Sequence, residues 1–204
     1  MSETQGMYFG LNQKILISCC NLNGGLFELT IKDDSVHLER ILHDNLRGMA
    51  KFQDQIVLVS GVEVLILDNE YRVVKRKASD RSADYHGVGV YKDKAFIVET
   101  DQNRVGIYDL SDLSRVDEIK LSPEEIDVNH VNDLFIKDNK LYISMFADTG
   151  HGLWRNLPLN SGVIVEYCLK TNNRIGICLH SLHQPHSPLF IMMYYIIVIP
   201  QNFK

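Results

Sequence analysis

Side chains that can bind ligands or take part in catalysis recur near the starts of apolar segments of this sequence. Asn132 and Asp133 stand side by side as an amide and a carboxylate. We predict them as ligands of a divalent cation such as Ca²⁺, which prefers oxygen donors and can polarise an ester carbonyl or activate water. The side chains predicted to contact a ligand nearby are Arg47, His86, His130 and His186.

The same residue types also have purely structural uses. Asn and Asp favour turns because their side chains hydrogen-bond to the local backbone, and histidines can line wet channels without holding a metal. Both interpretations stay open from the sequence alone. In either one, an imidazole near its ordinary pKa of about 6.5 can carry a proton.

A second candidate region is an insertion at residues 147–156. It contains Trp154, the single tryptophan of the chain, followed by Arg155. Loops carry function more often than scaffold strands, and tryptophan and arginine are enriched among residues that anchor partners. We therefore predict ligand contacts by Trp154 and Arg155. The alternative is that Trp154 covers the apolar end of its own structural unit.

The elements that must position these residues follow from an internal repeat. Each copy has an apolar strand, a short polar turn with Asp54, Asp93 or Asp138, and a second apolar strand, which is the pattern of a β-hairpin. The turn residues are 39 and 45 residues apart. The hairpins are predicted at residues 48–59, 87–98 and 132–143.

Further strands follow each hairpin. Residues 105–110 match residues 163–169, and Arg115 matches Arg174 at the same offset of 59 residues. Four short strands that recur every ~40–45 residues are typical of β-propeller blades. A β-sandwich is the main alternative, but it does not require the same hairpin in every unit. We predict an all-β chain with a β-propeller fold and one helical turn at residues 122–125.

The repeats also predict how many blades the chain contains. They comprise a partial unit at residues 15–29, three full units, and the first strand of another at residues 187–191. This pattern predicts about four blades, a truncated fragment of a six-bladed type of propeller. We assign residues 1–191 to this incomplete propeller domain. Residues 192–204 depart from the repeat, and we expect this apolar tail to replace the native continuation.

Composition and charge restrict the classes of function and location. Hydrophobic residues make up 45% of the 204 positions and charged residues 23%, as in ordinary globular proteins. The net charge of −5, without a long run of like charge, argues against nucleic-acid or membrane partners. The apolar run at residues 189–199 is shorter than the ~20 residues of a membrane-spanning helix. With a polar N-terminus and no Cys-x-x-Cys pair, we expect a cytoplasmic protein.

Part of the sequence resembles an uncharacterised propeller-like family, domain of unknown function 4915. The segments that carry the resemblance are residues 129–135, 152–162 and 183–190. It runs over about residues 14–191 and implies a propeller fold but no catalytic residue. A more distant similarity is to the gluconolactonase, senescence-marker and strictosidine-synthase propellers. In those families Asn-Asp pairs ligate a divalent cation in the central channel, and here only Asn132–Asp133 matches that pattern.

The function predicted first is that of an intracellular binding module, which presents polar side chains at the mouth of its channel to a small molecule or a protein partner. The alternative is a divalent-metal-dependent hydrolase of the lactonase type, based on Asn132, Asp133 and the channel histidines. An incomplete ring of blades leaves strand edges unpaired. We therefore also expect self-association through these edges.

Overall fold

The computed structural model describes residues 13–21, 23–32, 35–149, 152–191 and 194–198 of the chain. Within these residues it is nearly all β, with seventeen strands and two short 3₁₀ turns. The chain divides into two compact units, Met1–Leu46 and Arg47–Lys204. Among the described residues, no helix has the length and apolarity required to cross a membrane.

The first unit contains one three-stranded antiparallel sheet in the order β1-β2-β3. Its strands are β1 (Gln13–Cys19), β2 (Gly25–Lys32) and β3 (Ser35–Leu42). The first two strands confirm the partial unit predicted from the sequence. The third was not predicted, and its apolar side chains Val36 and Leu38 are largely exposed, at 69% and 56%.

The following strands form three four-stranded sheets, each with its strands side by side in chain order. The second sheet of the chain has β4 (Leu46–Phe52), β5 (Gln55–Ser60), β6 (Glu63–Leu67) and β7 (Val73–Ala78). The third has β8 (Tyr85–Tyr91), β9 (Lys94–Glu99), β10 (Arg104–Asp109) and β11 (Arg115–Lys120). The fourth has β12 (Val131–Lys137), β13 (Lys140–Met145), β14 (Gly162–Cys168) and β15 (Asn173–Leu182). These strands confirm the predicted hairpins and the two strands after each of them.

Two further strands, β16 (His186–Ile191) and β17 (Tyr194–Val198), pair antiparallel in a fifth sheet, with Ile191 opposite Tyr194. The strand β17 lies in the predicted C-terminal tail. The prediction that this tail is not native stays a prediction, and residues 192–193 and 199–204 lie outside the described residues.

The first strands of the third, fourth and fifth sheets lie next to each other, with β12 between β8 and β16, and Gly48 of β4 lies against the backbone of His86 in β8. We call β4, β8, β12 and β16 the inner strands. Successive antiparallel sheets packed face to face through such inner strands are the arrangement of propeller blades.

The apolar cores lie between neighbouring sheets, and β9 shows why. Successive side chains of a strand point to opposite faces. Ala95 and Ile97 pack against the second sheet, whereas Phe96 and Val98 pack against the fourth sheet. Because both faces of the third sheet are buried, this strand is apolar without interruption.

The structure corrects the alignment of the hairpin turns by one residue. Tyr91 pairs with Lys94 across one turn, and Lys137 pairs with Lys140 across the next. The turn residues are therefore 92–93 and 138–139, so that Asp93 corresponds to Asn139 and not to Asp138. The same shift of one residue makes His86 correspond by strand position to Asn132 and not to Val131.

The predicted helical turn at residues 122–125 was also wrong. This segment consists of bends, and the Ser122 hydroxyl, instead of capping a helix, donates to the Glu124 carbonyl at 2.9 Å and accepts from the Glu124 N–H at 3.2 Å. Serine side chains compete with the backbone in this way at turns. The 3₁₀ turns lie instead at Thr100–Gln102 and Trp154–Asn156.

Candidate functional site

Three inner strands begin with an irregular register. In β8 the pairing shifts between Tyr85 and Val88, in β12 between Val131 and Asp133, and in β16 after His186. Such β-bulges insert an extra residue, strengthen the local twist and redirect side chains.

The backbone also takes an unusual conformation where the chain enters two of these strands. Asp84 before β8 has a φ of 46°, and His130 before β12 has a φ of 45°. Asp and His are among the residues that adopt this left-handed region most readily, although at a cost in conformational energy. The bulges and these two residues together set the directions of the side chains at the start of the inner strands.

The structure brings together the polar residues predicted at the starts of the inner strands. His86 Nδ1 lies 3.5 Å from Asn132 Nδ2, and the rings of His86 and His130 are 5.8 Å apart between centroids. We call the following residues the inner-strand cluster: His86, His130, Asn132, Asp133 and His186. All of them belong to three successive sheets of the second unit.

His86 is held by a carboxylate that the sequence analysis did not identify. Its Nε2 lies 3.2 Å from Asp84 Oδ2, and Arg47 Nη1 donates to Asp84 Oδ1 at 2.5 Å. Burial alone would raise the pKa of Asp84, but the hydrogen bonds from His86 and Arg47 outweigh it and lower the pKa to about 2. The predicted residue Arg47 thus reaches the cluster through Asp84.

His130 is held in the same way by Asp127. The Asp127 Oδ2 lies 3.0 Å from His130 Nδ1 and also accepts the indole N–H of Trp154 at 2.9 Å. Burial would raise the pKa of Asp127, yet the contacts with His130 and Trp154 lower it. Its other oxygen, Oδ1, is buried and has no hydrogen-bond partner among the described residues.

A carboxylate on one imidazole nitrogen places the ring proton there and leaves the opposite nitrogen as an acceptor. In His86 that acceptor is Nδ1, next to the Asn132 amide, and in His130 it is Nε2. His186 adds a third ring, whose pKa is lowered by burial and by the proximity of His130 and His86. The cluster therefore presents one ring nitrogen of His86 and one of His130 that the carboxylates do not contact.

An aromatic group encloses one side of the cluster. The rings of His130, Trp154 and Phe146 pack in a triangle, with centroid distances of 4.5 Å from His130 to each of the others and 5.1 Å between Phe146 and Trp154. Phe146 also contacts the His186 ring at 5.2 Å, and the Arg155 guanidinium lies 4.6 Å above the Trp154 ring. The predicted pair Trp154–Arg155 thus lies beside the inner-strand cluster, while Trp154 at the same time packs against apolar Phe146.

Asp133 carries the single carboxyl group of the inner-strand cluster. Burial raises its pKa, although the Leu134 N–H, at 2.8 Å from Oδ1, and the Ser187 hydroxyl hydrogen-bond to it. A raised pKa disfavours the charged form that a Ca²⁺ ligand requires. Within the described part of the chain, no group of three or more His, Cys, Asp or Glu side chains is arranged to hold a metal ion. The metal site at Asn132 and Asp133 stays a prediction, without a complete set of ligands among these residues.

The sequence reasoning missed Asp84, Asp127 and Phe146. A signal for the two carboxylates was present, since an aspartate precedes the histidine by two residues at His86 and by three at His130. Phe146 carried no comparable signal, because it follows directly on the apolar strand β13.

No protein-family profile matches the sequence, and no curated protein is similar to it in sequence. The resemblance to domain of unknown function 4915 therefore rests on the three segments alone. Solved structures, in contrast, match it in fold.

A chain of the nidogen–laminin complex superposes with a TM-score of 0.61 at 11% identity, over 86% of this chain and 65% of that chain. A protein of unknown function from Bacteroides caccae has a TM-score of 0.60 at 10% identity, over 88% and 64%. The Pan2 WD40 domain of Neurospora crassa has a TM-score of 0.50 at 15% identity, over 84% and 52%. The chain thus spans about half to two thirds of the length of these structures. The neighbours include a WD40 domain, and this chain has the fold of a partial β-propeller.

Proposed function

We propose that the protein is a binding module whose inner-strand cluster binds a small polar ligand. The observation that carries this proposal is the pair of carboxylate–imidazole contacts, Asp84–His86 and Asp127–His130, on two neighbouring sheets. They hold two rings whose centroids are 5.8 Å apart, each with a second ring nitrogen that its carboxylate does not contact. Binding sites typically combine apolar walls with a few polar groups of fixed orientation, and here Phe146 and Trp154 supply the walls.

The chemistry of the cluster indicates the class of ligand. An imidazole nitrogen that carries no proton is an acceptor, whereas the Asn132 amide offers a donor and an acceptor. A ligand with several hydroxyl or N–H groups, such as a polyol, satisfies this set. Membership of the propeller-like family 4915 and a cytoplasmic location are parts of the same proposal, supported by the three resembling segments and by the cysteine pattern.

The fluorescence of Trp154 can report binding at the cluster. Its use does not require that the ligand be known in advance. Because it is the single tryptophan and packs on His130, its fluorescence is sensitive to changes in the cluster. A set of polyols and other polar metabolites would be titrated while this fluorescence is recorded. We expect saturable binding of at least one compound, weakened about tenfold or more by Asn132→Ala, since a lost hydrogen bond in a buried site costs ~1–2 kcal/mol.

The matched control is Asn173→Ala, which removes an exposed amide at the start of β15 and should leave binding unchanged. Equal affinities of wild type and Asn132→Ala would contradict the proposal. Metal analysis of the purified protein tests the alternative function: stoichiometric metal that is lost in Asn132→Ala would favour the metal-dependent hydrolase.

A further inference from the structure

A separate cavity of about 390 Å³ lies between the second and third sheets. It is bordered by the end of β7, by the loop from β7 to β8, and by residues of β8 to β11. Its volume is within the usual range of about 300–1,000 Å³ for small-molecule sites. None of the inner-strand cluster residues lines it.

Polar and charged side chains that are almost completely buried form the inner wall of this cavity. Glu99, Gln102 and Arg104 are only 1%, 5% and 5% exposed. Arg104 donates from Nε to Glu99 at 2.6 Å, and the Tyr108 hydroxyl donates to the other Glu99 oxygen at 2.6 Å. Burying a charged pair costs free energy even when the pair is well bonded, so such a pair is weak evidence for a stabilising role.

The hydrogen bonds of Arg104 are incomplete. A guanidinium has five N–H donors. Arg104 uses one for Glu99, one for Glu118 at 2.9 Å and one for Gln102. Two donors of a side chain that lines the cavity therefore have no partner among the described residues. A carboxylate or a phosphate is the acceptor that fits a guanidinium best.

A second cationic side chain, Lys77, lies on the wall that β7 forms. Lys75 and Lys77 point to the same face of β7, because side chains alternate along a strand. Lys75 donates to the carbonyls of Leu110 and Ser111 at 2.8 and 2.6 Å. Lys77 is half-buried at the cavity and makes no hydrogen bond or close ion pair in the described part of the chain, although its charge contributes to lowering the pKa of Asp112.

The charge of the lining agrees with these two observations. The cationic side chains are Lys77, Arg81, Arg104 and Arg115, and the carboxylates are Asp80 and Glu99. Outside the lining, two further carboxylates pair with these cations, since Glu125 lies 3.4 Å from Arg81 and Glu118 lies 3.3 Å from Arg115. Lys77, Asp80 and two N–H donors of Arg104 remain after this pairing, in a chain whose net charge is −5.

We propose that the cavity between the second and third sheets binds a small organic anion, with a carboxylate or phosphate group held between Lys77 and Arg104. The Tyr85 and Tyr108 hydroxyls, 3.0 Å apart at the same wall, then contact the polar remainder of the anion. This site is independent of the proposed function of the inner-strand cluster.

Isothermal titration with citrate and with inorganic phosphate tests the proposal on the full chain. We expect saturable binding of at least one of these anions, weakened about tenfold by Lys77→Ala, which corresponds to ~1.4 kcal/mol. Higher ionic strength should weaken binding as well, because salt screens charges at a partly open cavity. Lys77 is the residue of choice because, unlike Arg104, it makes no contact on which folding depends.

Two control variants test whether the anion binds at this cavity. Lys170→Ala removes an exposed lysine from the β14–β15 turn, and Asn132→Ala alters the inner-strand cluster; neither should change the affinity for the anion. Absence of saturable binding, or an equal loss in Lys170→Ala, would overturn the proposal. A loss confined to Asn132→Ala would place the anion at the inner-strand cluster, and would also overturn it.

Discussion

Gly87 shows how closely the start of β8 approaches β12. A Cβ atom added there would lie 2.9 Å from the Cα atom of Asp133 and would overlap its carboxylate. Such contacts cannot be relieved by a flexible side chain, because one of the atoms belongs to the backbone. The glycine is therefore required by the position of Asp133, and not by an unusual φ.

We expect Gly87→Ala to lower the free energy of unfolding by about 1–3 kcal/mol, as overpacking of a tight contact does. Urea denaturation followed by circular dichroism measures this difference. Gly176→Ala is the matched control, since a Cβ atom at that position of β15 meets nothing within 4 Å. An equal and small effect in both variants would show that β8 and β12 can separate without cost.

Asp84 makes stability depend on pH in a defined window. Its folded pKa of about 2 is below the ordinary value of 3.8, so its contribution is fully present above pH 4 and is lost as the pH falls towards 2. Asp84→Asn should therefore be less stable than wild type by about 1–2 kcal/mol at pH 6, with the difference shrinking below pH 4. Thermal unfolding of both proteins from pH 2 to pH 7 measures it. A difference that stays constant over this range would contradict the assignment.

At the scale of elements, Asp127 connects two loops. It lies in the segment before β12 and binds Trp154 of the loop between β13 and β14, as well as His130. The loop that contains Trp154 has no strand of its own among the described residues. This carboxylate and the ring contacts hold its Trp154 end, whereas the ion pair of Asp148 with Arg174 holds its beginning.

We expect Asp127→Asn to loosen this loop by about 1 kcal/mol, because a neutral amide oxygen is a weaker acceptor than a carboxylate. Quenching of Trp154 fluorescence by acrylamide should increase. Asp148→Asn is the control: Asp148 lies in the same loop but pairs with Arg174, at 2.6 Å. Unchanged quenching in Asp127→Asn would show that Asp127 does not hold the loop at Trp154, and an equal increase in both variants would show that its effect is not specific to the Trp154 contact.

At the scale of the whole molecule, unpaired strand edges predict self-association. Within the described residues β17 pairs with β16 alone, in a sheet of two strands. Two-stranded sheets are marginally stable, and an open edge can pair with another chain. We expect light scattering to show a molar mass that rises with concentration, and Ile197→Pro to reduce the rise because proline blocks edge pairing. A monomeric mass at all concentrations would contradict this expectation.

The sequence determined the strands and their grouping into sheets. Alternating apolar residues and polar two-residue turns are local properties, and they predicted the hairpins that begin at β4, β8 and β12. The strand β9 is apolar without interruption because both of its faces are buried, so this burial is visible in the sequence as well. The candidate residues His86, Asn132 and His186 were found because each follows the start of such a strand.

The tertiary structure alone decided the partners of these residues. Arg47 and Asp84 are 37 positions apart, and Asp127 and Trp154 are 27 apart, so no local pattern joins them. The β-bulges left no signal either, because one extra residue at the start of a strand is compatible with the same apolar pattern. The buried contact between Glu99 and Arg104 has a similar origin, since its enclosure depends on how the second and third sheets pack. Local periodicity fixes strands, whereas the environment of a polar side chain depends on contacts between sheets that are distant in sequence.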